Sequence, residues 1–319
     1  MLSHEMRSLL AVLSLTSIAV LAACQQMEHS AAAPSSTSAT SQPATATQPA
    51  AKPEEDAMQW RARRLASLTK ADGWLSLVGL IWLNDGANDV SLPSKPPTPI
   101  KATLQNGQVT LDANAKLAID GKPVAAPVAL RDDTTDKPTV VTMGTMQFLA
   151  IKRGDPGHEK FGLRVKDSAA DARVHFKGLD YFPVDPAYRV EARFEPYNPP
   201  HHIAITNVLG MTTQETSPGR LVFTLKGKEY SVDPILEQGE TDYFIIFRDQ
   251  TSGHETYGAA RYLYAHPAGA DGKTIVDFNK AYNPPCAFTP YATCPLPPPQ
   301  NKLPLRIEAG EKKYAGGHA

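Results

Sequence analysis

From residue 74 to residue 308, apolar side chains recur at every second position in short runs broken by polar turn residues. A strand sends successive side chains to opposite faces, so this period buries one face of each run and leaves the other free, which a helix cannot do. The runs predict strands over 74–83, 100–104, 107–112, 138–143, 147–153, 161–167, 189–195, 202–208, 220–226, 228–235, 242–248, 256–264 and 303–308. Asn106-Gly107 and Asp120-Gly121 suit two-residue hairpins, while Ser217-Pro218-Gly219 and Gly227 mark further turns. No segment of helix length separates the runs, which disfavours a parallel α/β fold. The expectation is a mostly β protein: an antiparallel β sandwich or partly open barrel, with one N-terminal helix packed on it. That helix follows Pro53. Acids at 54–56 and Arg61, Arg63, Arg64 and Lys70 toward the far end suit the two poles of its dipole, and Asp72-Gly73 stops it. Met58, Ala62 and Leu65 form its expected packing stripe, with Leu68 beside it.

The segment ahead of the helix gives the chain an expected address. Arg7 precedes a largely apolar run, Leu9–Val20, too short to span a bilayer comfortably and suited to a secretory signal. Leu21-Ala22-Ala23-Cys24 resembles the lipobox of bacterial lipoproteins. That resemblance implies a signal peptide over 1–23, cleavage before Cys24, and a lipidated Cys24 holding the protein to a membrane, since several acyl chains anchor stably. Gln25, where an Asp would favour the inner membrane, leans toward the outer membrane facing the periplasm. Residues 24–53 then form a linker of Ala, Ser, Thr, Gln and Pro with no apolar periodicity, which predicts disorder. The remainder, 54–319, is long enough for one β-rich domain.

Composition and motifs remove several classes of function. The net charge is −1 with mixed signs and no basic stripe, so nucleic acid is not expected as a partner. His201 and His202 point to opposite faces of one strand, and neither a zinc-binding His spacing nor a nucleophile-elbow, phosphate-loop or dinucleotide glycine motif occurs. No metal or cofactor is expected. Ser67-x-x-Lys70 ends a helix rather than opening one and lacks the companion motifs of penicillin-binding enzymes.

Two polar clusters are candidates for chemistry. In 248–262, read as a hairpin, Glu255, Tyr257 and Arg261 share a strand face with Arg248 across from them. A carboxylate, a phenol and guanidiniums around small residues suit a polar or anionic ligand; a solvated face or a structural ion-pair network fits equally. In 277–283, Asp277, Asn279 and Tyr282 lead into a rigid block, NPPCAFTPYATCPLPPP, which is either a preorganised wall of a site or a plug over one end of a sheet. With Cys24 lipidated, Cys286 and Cys294 remain. In an oxidising compartment they make a natural disulfide, worth about 2–3 kcal/mol; a reduced structural pair and reactive or metal-binding thiols are the alternatives.

The stretches GWLSLVGLIWLNDGAN (73–88), GLDYFPVDPAYRVEARF (178–194), RDQTSGHETYGAARYLY (248–264) and the block from Asp277 to Lys312 resemble a bacterial and archaeal family, domain of unknown function 1684, over nearly all of 70–314. The resemblance implies one domain that includes the proline-cysteine block, and carries no activity or catalytic residues with it. Three functions stay open: a ligand-binding or structural envelope lipoprotein, a hydrolase with Glu255 or Asp277 as general base, and a scaffold for a protein partner.

Overall fold

A computed structural model describes residues 52–316 except Gln238. The expected signal peptide, Cys24 and the linker up to residue 51 lie outside the described residues.

Two β lobes follow one another along the chain. The first holds β1 (Leu77–Trp82), β2 (Gly86–Leu92), β3 (Thr98–Gln105), β4 (Gln108–Leu111), β5 (Asn114–Ile119), β6 (Lys122–Val124), β7 (Val128–Leu130), β8 (Val141–Met143), β9 (Met146–Arg153) and β10 (Lys160–Asp167). They form a six-stranded sheet in the order β1-β10-β9-β8-β5-β6 and a four-stranded sheet, β2-β3-β4-β7. Leu92, Leu111, Leu117, Phe148 and Leu163 are among the side chains of its core. The second lobe holds β11 (Arg189–Thr206), β12 (Thr212–Leu225), β13 (Lys228–Val232), β14 (Tyr243–Phe247), β15 (Arg261–Ala265) and β16 (Lys273–Asp277). Here a sheet in the order β13-β12-β11-β16 packs on the β14–β15 ribbon. Every strand pair in both lobes is antiparallel. The fold is therefore the mostly β architecture that the period-two runs imply, with helix α1 (Pro53–Leu68) packed against it.

The turn residues act as expected at three hairpins. Asn106-Gly107, Asp120-Gly121 and Lys226-Gly227 all have both residues at positive φ. That backbone matches the twist of the strands it joins.

Five sequence expectations are corrected. Runs 189–195 and 202–208 are one strand, β11, whose register against β12 shifts between Pro196 and His201. Ser217-Pro218-Gly219 is no turn; it lies opposite that irregularity within β12. A Cβ on Gly219 would sit 2.4 Å from the Glu195 carbonyl, so the close approach needs glycine. The strand expected over 256–264 starts only at Arg261. Residues 303–308 form no strand, although Leu303, Leu305 and Ile307 enter the second core. Their backbone is held by side chains and a loop instead: Arg261 donates to the carbonyls of Ile307 (2.9 Å) and Ala309 (2.5 Å), Ile307 N–H donates to Asp249 (2.7 Å), and Gln250 N–H donates to the Leu305 carbonyl (2.9 Å). Finally, the expected helix stripe points outward, with Met58 and Leu65 53% and 43% exposed. The helix buries Ala57 and Leu68 and docks through guanidiniums: Arg61 donates to the Phe182 carbonyl at 2.9 Å, and Arg64 to Glu311 and the Asn283 carbonyl, both at 2.9 Å.

Arg261 and Asp249 are both fully buried and 3.2 Å apart. Removing one charge of such a pair strands the other. Arg261→Met is expected to lower stability by about 3–5 kcal/mol, read as a drop in the urea midpoint. Arg306→Ala, which breaks the solvent-exposed pair with Glu255, should leave that midpoint unmoved.

Candidate functional site

The period-two alternation that builds the cores also fixes what lies on the other face of the same strands. In β10, Phe161, Leu163 and Val165 enter the first core, so Arg164 projects from the opposite face. In β15, Leu263 and Ala265 enter the second core, so Tyr262 and Tyr264 face away from it. These outward faces, with α1 and the proline-cysteine block, wall a cavity of about 720 Å³. That is the size range of small-molecule sites. Trp60 and Arg63 of α1, Trp74, Phe244 and Tyr282 add to its lining. The β11–β12 hairpin is braced against the β9–β10 turn, because Gln214 N–H donates to Asp155 at 3.2 Å.

The first lobe contributes positive charge. Arg153 binds the Asp133 carboxylate through two nitrogens, at 3.0 and 2.7 Å, and reaches Thr293 at 3.2 Å. Arg164 touches the same carboxylate only at 3.5 Å. Its Nε is buried with no acceptor among the described residues, and its guanidinium lies 5.4 Å from the centre of the Trp74 ring. Burial, and next the Arg153 charge, lower the Arg164 pKa to about 10 against the pull of Asp133. One carboxylate thus serves two guanidiniums.

The second lobe contributes negative charge. Glu215 of β12 accepts from the Thr213 hydroxyl at 2.9 Å, and Glu237 accepts from the Tyr264 hydroxyl at 2.8 Å. Leu236 N–H donates to the Thr216 carbonyl at 2.9 Å, which brings the two glutamates into one neighbourhood. Burial is the main cause that raises the Glu237 pKa; the Glu240 and Glu215 charges add to it and the Tyr264 bond opposes it. Burial likewise pushes the Tyr264 and Tyr282 phenols upward, so both are neutral donors at neutral pH.

The seven residues singled out in the sequence do not form one site. Tyr282 lines the cavity, stacked beneath Arg64 at 4.7 Å. Tyr257 is half-buried and donates to the Cys286 carbonyl at 3.1 Å, bracing the proline-cysteine block. Arg261 is sealed in the second core. Asp277 and Asn279 are buried in a turn that holds the backbone of Asp185. Glu255 and Arg248 are exposed, Glu255 in its pair with Arg306 at 2.5 Å. The shared face assumed for 255, 257 and 261 does not exist, because 249–260 is a chain of turns. Arg153, Arg164, Glu215 and Glu237 line the cavity, and no motif marks them in the sequence. The available signal was a charge inside a strand such as FGLRVKD, where both faces are covered.

The bridge expected between Cys286 and Cys294 is absent: both are free, buried thiols, with Cys286 N–H donating to the Cys294 sulfur at 3.1 Å. Hydrogen bonds close the loop in place of a covalent link. Tyr262 donates to the Pro295 carbonyl at 2.9 Å and Thr289 to the Leu77 carbonyl at 3.1 Å. The hydrogen bond from Cys294 lowers the Cys286 pKa, and burial raises that of Cys294, so Cys286 is the more acidic thiol. Cys294 also lines the cavity.

Fold and site together define a two-lobed antiparallel β protein with a charged, aromatic-lined cavity. Residues 174–312 match the family described as protein of unknown function, DUF1684, and through that segment the chain belongs to it. The match covers the second lobe and the proline-cysteine block, and is narrower than the 70–314 resemblance. The solution NMR structure of an uncharacterised protein of Haloarcula marismortui is 33% identical over 44% of this chain and 80% of its own, with a TM-score of 0.38. No curated protein matches the chain.

Because the pKa of Glu237 is raised, its ionisation costs the fold stability as pH climbs through that raised value. Gln at this position cannot ionise. The melting temperature of Glu237→Gln relative to the parent is expected to become more favourable as pH climbs from the ordinary carboxylate value to the raised one, and to level off above it. A pH-independent difference would show that the carboxyl titrates as an exposed one does.

Proposed function

We propose that the protein is a non-catalytic binding module of the cell envelope that holds a small anionic ligand in the cavity. One observation carries this reading: the buried Nε of Arg164 has no acceptor, and its guanidinium shares a single carboxylate with Arg153. A buried guanidinium without a full set of acceptors is costly, and an anion supplies the missing charge and hydrogen bonds. Trp74 offers an apolar surface beside that position. The lipobox-like Leu21-Ala22-Ala23-Cys24 and the linker behind it support an anchor at Cys24, on a membrane facing the periplasm.

Isothermal titration of the full chain with inorganic phosphate and with 3-phenylpropionate tests the binding. At least one is expected to bind, and Arg164→Met to weaken it about 10- to 100-fold, the worth of a charge-assisted hydrogen bond. Failure of both anions, or an unchanged affinity in a folded Arg164→Met protein, would overturn the reading. The anchor has its own test. Radiolabelled palmitate fed to bacteria expressing the chain should enter the protein, and Cys24→Ser should abolish the label and release the protein from the membrane fraction.

A further inference from the structure

We infer that the ligand of this cavity is a zwitterion, with a carboxylate held by the first lobe and an ammonium held by the second, as in a free amino acid or a short peptide. The inference rests on the anion-binding reading above and adds the other end of the ligand.

The cavity contains two carboxylates that its own arginines leave alone. Glu215 and Glu237 form no ion pair among the described residues, although both line the cavity that Arg63, Arg153 and Arg164 line. Arg153 and Arg164 turn to Asp133 instead. Charges free to meet in one cavity would be expected to pair; these are kept apart by the lobes that carry them. Arg153 and Arg164 stand on β9 and β10, Glu215 on β12, and Glu237 two residues beyond Ile235, which is bridged to Phe244. A purely anionic ligand would satisfy Arg164 and leave two glutamates in a partly buried neighbourhood with only hydroxyl donors, those of Thr213 and Tyr264. An ammonium removes that repulsion and gains the aromatic faces of Phe244 and Tyr264 as well. A dianion would worsen the second lobe, and a simple cation would leave the Nε of Arg164 without an acceptor. Only a molecule with both signs suits both lobes, and the volume of about 720 Å³ admits one the size of a dipeptide.

Isothermal titration of the full chain with four probes of similar apolar body tests this: 3-phenylpropionate, phenethylamine, L-phenylalanine and L-alanyl-L-phenylalanine. At least one zwitterion is expected to bind tenfold or more tightly than 3-phenylpropionate, and phenethylamine not at all. The Glu215→Gln, Glu237→Gln double variant should erase the zwitterion's advantage without weakening 3-phenylpropionate, because removing negative charge from the cavity favours an anion. Which zwitterion wins separates an amino acid from a peptide. If 3-phenylpropionate binds as well as either zwitterion, this inference fails and the anion site stands. If no anionic or zwitterionic probe binds, or phenethylamine binds best, both fail. The wild-type comparison decides the matter even if the double variant does not fold.

Discussion

Arg261 is the side chain on which the closure of the second lobe depends. Its guanidinium is wholly buried, facing Asp249 and the carbonyls of Ile307 and Ala309. The Asp249 carboxylate also takes the Thr251 hydroxyl and the Ile307 N–H. This one ion pair stands in for a strand. It satisfies the backbone of an irregular tail whose leucines and isoleucine seal the core against the β14–β15 ribbon. Buried backbone groups must find partners somewhere, and here a guanidinium with five donors finds carbonyls that no neighbouring strand reaches.

The cavity inherits its shape from that closure. Just beyond the sealed tail comes Glu311, fully buried, which accepts from Arg64 of α1 and from Asn283 N–H at the start of the proline-cysteine block. The tail therefore fixes both the helix and the block that roof the cavity. The β14–β15 ribbon serves two masters: one face belongs to the second core, and the other presents Phe244, Tyr262 and Tyr264 to the cavity. A two-stranded ribbon is weak alone, so burial on both faces is what makes it a firm wall.

Much of the fold was legible because period two is a local property. A run such as MQFLAIK announces its strand without knowing its neighbours, and Asn106-Gly107 announces its turn. The strands that escaped are short or mostly polar; β2 buries only Val90 and Leu92. The site was far less legible. Its charged side chains come from positions as distant as Arg64 and Glu237, and nothing in the spacing of Arg153 from Glu215 says that they line one cavity. Even within β15 the sequence offered two faces without saying which was buried. Arg261 looked like the functional one because charge is usually exposed, yet it is the tyrosines beside it that face the cavity. The proline-cysteine block suits either a wall or a plug from its sequence; in the fold it walls the cavity, and the Cys286 N–H donates to the Cys294 sulfur.

The division of the cavity between the lobes has a consequence for how such proteins diversify. The segment shared with the family carries Glu215, Glu237, Tyr262, Tyr264, Tyr282 and the thiol pair, whereas Arg153, Arg164 and Trp74 stand ahead of it. The two halves of the wall are thus separable along the chain. Exchange of β9 and β10 alone would replace the guanidiniums and leave the side chains of the second core and the sealed tail as they are. A chain built this way can change one wall of its cavity while the other keeps its place.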